Sequence, residues 1–357
     1  MNESNTLVFS HEQDVDGIFS AAILKLAFGS PEIVLTNYGI ENMLSVRDKI
    51  YSFIRAGGAP GTIIIADMGP NPESAGAVID ALQMASQNNW RCIWIDHHIW
   101  PEQEHAEIRK WCEVVLCNNG DKKCTAELCV DRFKSTDSLS LQLAAIARRT
   151  DFPDTTKFPI PPLTPLISYY VGLPELRGRL HSVILENITK GIFWNYAMQE
   201  DIIESARLID ESIERSVKSL AIRQFAIGNL MFGVAIVKAD SFVSRSILLG
   251  RVMDQTEIDI AAAYTDDGKV SLRRKDVPNS EKASAIDCSK LAREFKEGGG
   301  HAGAAGGFLR IIPKDAPNGD SEAINEISSA VSSYLSKMQL ERGAGQANEK
   351  VQDITGS

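Results

Sequence analysis

Nowhere is this chain apolar over the roughly 20 residues needed to cross a bilayer. Its longest hydrophobic runs, around residues 61–66 and 235–237, are far shorter, so no membrane span is expected. The start lacks the basic residues and apolar core of a secretory leader, since Asn2, Glu3, Ser4 and Asn5 lead directly into the strand-like residues 6–9. A cytoplasmic location is the expectation. Cysteine is scarce, with six in 357 residues, which argues against a disulfide-stapled scaffold. Cys112, Cys117, Cys124 and Cys129 fall near one another, but their spacing does not suit structural zinc, and buried reduced thiols are expected. A broad basic face is also missing. The formal net charge of -10 disfavours a protein that coats long nucleic acid by neutralising phosphates. It leaves a small anionic substrate open, because carboxylates grouped to hold metal would themselves add to the negative average.

What is present is enough apolar sequence, 44% of residues, for two packed cores. β-branched runs at 6–9, 32–35, 62–66, 91–95 and 114–116 alternate with amphipathic stretches at 18–28, 44–55 and 75–87. This predicts an α/β domain, a doubly wound and mainly parallel sheet over residues 1–155. The proline-bearing segment 152–176 reads as beginning with a surface connection, and residues 201–225 as a linker helix, so that 156–227 joins the two domains. A smaller α/β domain is expected over 228–340, with strands at 231–237, 258–264, 270–272 and 308–312 and helices at 245–253 and 289–295. Residues 341–357 read as a disordered tail.

The chemistry gathers at strand ends. His11, Asp14, Asp16 and Gly17 follow the first strand, Asp67 ends the run Ile63-Ile64-Ile65-Ala66, and Asp96-His97-His98 ends Ile93-Trp94-Ile95. Open α/β sheets bind ligands at that carboxyl edge. A lone aspartate there is often a helix cap; three strands delivering acids and imidazoles to one rim point to a metal site. Nitrogen and oxygen ligands without thiolate suit manganese, with cobalt or magnesium as alternatives. Several aspartates around one point can hold two ions about 3.5–4 Å apart that share a carboxylate. Farther on, Gly298-Gly299-Gly300-His301-Ala302-Gly303 reads as a loop whose bare amides can cradle an anion.

On these residues the chain resembles the DHH phosphoesterase family, in the subfamily that carries a DHHA1 domain. Asp96-His97-His98 matches the family's name triplet, His11, Asp14, Asp16 and Gly17 its first motif, Asp67 its second and Asp151 its fourth. Cys124-Thr125-Ala126-Glu127-Leu128 is similar to the helix start after the triplet. One departure is the two-residue gap between His11 and Asp14. The resemblance covers about residues 6–339 and implies two metal ions, one held by His11 and Asp14, the other by Asp16, His97 and Asp151, with Asp67 bridging. It further implies that His98 faces the scissile phosphate and that Asp96 orients the histidines. The second domain would bind substrate through Arg273, Arg274, Gly299, Gly300, His301 and Gly303. The activity implied is a Mn2+ phosphodiesterase acting on short nucleotides or oligonucleotides, with a homodimer as a compatible assembly. A single-strand exonuclease of the RecJ type, a pyrophosphatase and a silent scaffold are the alternatives. The glycine-histidine run argues against the pyrophosphatase, and the complete ligand set against the scaffold.

Overall fold

The computed structural model describes residues 5–70, 72–117, 122–152, 162–227, 230–255, 258–275 and 286–354, with side chains described as far as residue 339. It divides into two units, Met1–Leu208 and Ile209–Ser357, each built on its own sheet.

In the first unit, β1 (Thr6–His11), β2 (Glu32–Thr36), β3 (Thr62–Ala66), β4 (Arg91–Asp96) and β5 (Glu113–Leu116) form one sheet in the order β2-β1-β3-β4-β5. Every pairing is parallel. The central strands are apolar on both faces because both are covered. Leu7, Phe9, Ile63, Ile65, Cys92 and Trp94 pack under α2 (Ile40–Arg55), α3 (Ala75–Gln87) and α4 (Glu102–Ile108). The opposite face meets α1 (Val15–Phe28), whose Ile18, Phe19, Ile23 and Leu24 are wholly buried. Each such side chain contributes roughly 1.5–3 kcal/mol of burial, so α1 is anchored firmly and its first turn is a rigid place to mount ligands. Helices α5 (Thr125–Phe133) and α6 (Ser138–Asp151) pack beside it. The strand order reverses between β1 and β3, which opens a crevice at their carboxyl ends.

The later part of the segment expected to begin as a surface connection is helical. Residues 153–161 lie outside the described set, but α7 (Leu163–Gly172) buries Leu166, Ile167 and Tyr170 completely. Its prolines did not prevent this, because Pro162 sits at the N-cap and Pro165 in the first turn, where no amide hydrogen bond is lost.

Helix α9 (Tyr196–Lys218) follows α8 (Glu186–Ile188), and the boundary between the units falls inside α9. The linker helix therefore ends earlier than 225, and residues 221–225 belong to β6 (Ala221–Ile227). That strand pairs antiparallel with β7 (Leu230–Lys238), whose backbone edge supplies the partners that helical periodicity cannot reveal. The second sheet also holds β8 (Ile260–Tyr264), β9 (Lys269–Arg274), β10 (Lys296–Gly300) and β11 (Ala304–Phe308), in the order β10-β11-β9-β8-β7-β6. One face packs on α10 (Arg245–Gln255) and on Ile209 and Ile213 of α9. The other packs on α11 (Cys288–Ala292) and α12 (Gly319–Ile354).

Three further expectations change here. The glycine-rich run is a β-hairpin, not a loop, and the strand expected at 308–312 ends at Phe308. The backbone expected as a tail is helical to Ile354, and residues 355–357 lie outside the described set. No helix among the described residues is long and apolar enough to cross a membrane. All six cysteines are free, and all but Cys117 are buried.

Candidate metal centre

The crevice at the β1–β3 switch point collects the strand-end acids and imidazoles. His11 is the last residue of β1. Its Nδ1 lies 2.8 Å from Asp14 Oδ2, and the other oxygen of Asp14 accepts from the Gly17 amide at 2.9 Å, capping α1. A side chain at Gly17 has no room, because its Cβ would lie 2.2 Å from the His11 carbonyl oxygen. Asp67 follows β3 with φ of 58°, a left-handed conformation that aspartate tolerates better than most residues. Its turn is held by the Asp67 amide donating to Ile95 O at 3.0 Å and by Trp94 Nε1 donating to Met68 O at 2.7 Å.

Asp67 stands between two groups. One of its oxygens is 3.7 Å from His11 Nδ1, and the other is 3.6 Å from His97 Nε2. His97 Nε2 is also 3.4 Å from Asp151 Oδ2 and 4.0 Å from Asp16 Oδ2. Ligand atoms of His11, Asp14 and Asp67 thus converge within 4.8 Å, as do those of Asp16, His97 and Asp151. All six side chains singled out as ligands in the sequence are brought together in the first unit, and Asp151 reaches the site as the last residue of α6.

The electrostatics are those of a crowded acid cluster. Burial, then the charges of Asp16, Asp14 and Asp151, push Asp67 well above the usual carboxylate range. Burial and Asp16 push Asp151 up to about 9, and burial lifts Asp16 to about 6 against the amide hydrogen bonds it accepts. Asp14 goes the other way: burial opposes the shift, but the attraction and hydrogen bond of His11 hold it below the ordinary value.

The residues fit divalent cations. His11 Nε2, Asp67 Oδ2 and Asp151 Oδ2 are buried with no hydrogen-bond partner, a condition that buried polar atoms rarely tolerate. The donors are carboxylate oxygens and imidazole nitrogens, hard to borderline ligands. Asp96 is different in kind. One oxygen takes His98 Nδ1 at 2.8 Å and the other takes the Trp100 indole N–H at 2.6 Å, so both are engaged by neighbouring side chains. Despite burial, Asp96 raises His98 to about 9, and at 23% side-chain exposure His98 is more accessible than His11 or His97.

Several neighbours of the site escaped sequence reasoning. Tyr38 sets its ring 4.9 Å from His11 and 6.2 Å from His98; its only signal is its place just beyond β2. Trp100 and Arg177 carried none. In the second unit, Arg273 and Arg274 lie at the end of β9, beside the hairpin tip. Arg273 pairs in register with Ala304, and the Arg274 amide donates to Gly303 O at 3.1 Å. The His301 amide closes the turn on Ala304 O at 2.8 Å. Gly300 has φ of 134° and needs glycine, whereas a Cβ at Gly299 or Gly303 would meet nothing.

Fold and site together define an α/β domain with a candidate metal centre at its sheet edge. Residues 5–148 match the family model described as DHH family, N-terminal domain. No curated protein matches the chain. Among solved structures it is similar to an exopolyphosphatase-related protein from Bacteroides fragilis, with 15% identity, 94% of this chain and 93% of that chain covered, and a TM-score of 0.51. An uncharacterized protein from Helicobacter pylori G27 shows 18% identity over 93% of this chain and 99% of its own, with a TM-score of 0.42. RecJ from Thermus thermophilus, solved in complex with Mg2+, shows 13% identity and a TM-score of 0.46. The alignment covers 93% of this chain but 49% of RecJ.

Proposed function

We propose that the protein is a phosphodiesterase that uses two divalent cations, manganese foremost, to hydrolyse short nucleotide substrates: short oligonucleotides, a cyclic dinucleotide or its linear product, or 3'-phosphoadenosine 5'-phosphate. The observation that carries this reading is Asp67, whose two oxygens face His11 on one side and His97 on the other. His11 and Asp14 would hold one ion, Asp16, His97 and Asp151 the other, and Asp67 both. Such a pair, when bound, supplies charge stabilisation at the phosphate and activates the attacking water.

The remaining roles fall to the chain. His98 keeps its proton at neutral pH because Asp96 stands behind it, so it can donate a hydrogen bond to a phosphate oxygen as negative charge builds there. Trp100 keeps Asp96 turned toward His98. Arg273, Arg274 and the Gly299, Gly300, His301 and Gly303 hairpin are the proposed grip on the nucleotide, with cationic and amide donors for a phosphate.

The test offers chelator-stripped protein, with and without Mn2+, labelled RNA and DNA of two, five and twenty residues, together with cyclic di-AMP and 3'-phosphoadenosine 5'-phosphate. Mn2+-dependent cleavage confined to the shortest substrates is expected, and it should vanish in Asp67→Ala. Cleavage that runs processively along the twenty-residue strands would instead favour a single-strand exonuclease. Full activity in chelator would sink the two-cation reading.

A further inference from the structure

The segment Cys124-Thr125-Ala126 at the start of α5 has no ligand and no substrate role in the reading above, yet it meets the metal centre at three points. The Thr125 amide donates to Asp16 Oδ2 at 2.7 Å and the Ala126 amide to Asp16 Oδ1 at 2.8 Å, so the helix N-terminus clasps that carboxylate. The Thr125 hydroxyl turns elsewhere and donates to Asp67 Oδ1 at 2.9 Å.

That hydroxyl is not needed by its own helix. The start of α5 is capped one residue earlier, where the Cys124 side chain and Glu127 satisfy the exposed amides as a capping box. Thr125 is fully buried, so water cannot substitute for it. Asp67 itself stands on a left-handed backbone. With Oδ1 held by Thr125, its second oxygen, Oδ2, is left buried without a partner on the His11 side. A carboxylate free to spin about its terminal torsion would have no fixed assignment of oxygens to the two clusters.

We infer that Thr125 is a positioning residue that fixes the rotation of the Asp67 carboxylate, so that one oxygen is committed to each cation. This rests on the proposed two-cation reading. The same helix end thereby sets one carboxylate from each flank of the crevice, Asp16 with its amides and Asp67 with its hydroxyl. Partners of this kind typically alter metal affinity by about 10- to 100-fold.

The experiment compares Thr125→Val, which keeps the shape and loses the hydroxyl, with Thr125→Ser, which keeps the hydroxyl. Mn2+ binding to stripped protein is followed by calorimetry, dinucleotide turnover is split into kcat and KM, and the melting temperature is taken in chelator. Thr125→Val is expected to bind the weaker Mn2+ about 10-fold or more less tightly and to lose kcat while KM stays near its original value. Thr125→Ser should recover most of both. Normal affinity and kcat in Thr125→Val would overturn the inference. So would a metal-free melting temperature that falls in Thr125→Val and, equally, in Thr125→Ser, with the metal defect tracking it, since the residue would then be acting through packing. If the unaltered protein binds two Mn2+ ions but cleaves no nucleotide, the phosphodiesterase reading fails, and the affinity loss in Thr125→Val still supports the inference. If it binds none, both fall together.

Discussion

Arg177 grips Glu12 through two parallel hydrogen bonds, 2.7 and 2.8 Å long, although 165 residues separate them. Glu12 lies inside the ligand-bearing loop, one residue after His11, and is 2% exposed. Removing the guanidinium in Arg177→Ala strands a buried carboxylate, at a cost of about 1–3 kcal/mol. The upper range for buried pairs does not apply, because the Arg177 side chain is half exposed. Urea unfolding should show the loss, and Glu12→Gln in the same chain should restore part of it. An unchanged midpoint in Arg177→Ala would mean that the pair adds nothing to the loop.

The metal-free protein should become less stable as pH rises from about 4 to about 9. Asp16 and Asp151 have folded-state values of about 6 and about 9 against an ordinary 3.8, and Asp67 is displaced in the same direction. The folded state therefore binds more protons than the unfolded state through that window, and stability falls with pH. His98, raised to about 9, acts in the same sense above its ordinary 6.5. Melting temperatures in chelator across this range check the slope, and saturating Mn2+ should flatten or reverse it. A rising slope in chelator would contradict the cluster as described.

Asp151→Asn separates folding from binding. At pH 8 the folded state must take up a proton on Asp151, which burial and the neighbouring Asp16 and Asp14 keep from ionising; asparagine removes that cost, so the stripped protein at pH 8 should gain stability. About 1 kcal/mol would correspond to a few degrees in melting temperature. Mn2+ binding should weaken in the same variant. Asp14→Asn is expected to behave oppositely when stripped, because Asp14 has a favourable partner in His11 and caps α1. Equal shifts in the two variants would argue against this division.

The proposed grip in the second unit can be separated from the chemistry by choice of substrate. Bis(p-nitrophenyl) phosphate offers no nucleotide to hold, so its Mn2+-dependent hydrolysis should survive in His301→Ala or Arg273→Ala. Dinucleotide cleavage should fall by roughly 100-fold, the usual scale for lost positioning contacts. Equal loss on both substrates would put these residues in the chemical step instead.

The five strands of the first sheet were legible because each is a short β-branched run, and the ligands because they stand where such runs stop. His11, Asp67, Asp96 and His97 need no long-range information to be noticed. Arg177 and Trp100 do: they matter only through Glu12 and Asp96, contacts that local spacing does not encode. Residues 221–225 were misread as an extension of the amphipathic helix before them, because the edge of β7 that claims them is invisible locally. The glycine run failed for a related reason. Its strands are made by backbone pairing with β9 and with each other, and glycine side chains leave no alternation to read.

The absence of a side chain at Gly17 sets how closely the first turn of α1 can approach the end of β1. A methyl group there would collide with the carbonyl of His11, which is main chain and cannot swing aside. The separation between the His11 imidazole and the acids on α1 is thus governed by an atom that is missing. Gly17→Ala would act as a wedge, and its harm should be graded by distance: greatest for ion binding by His11 and Asp14, small for the sheet, and nil for the independent core of the second unit.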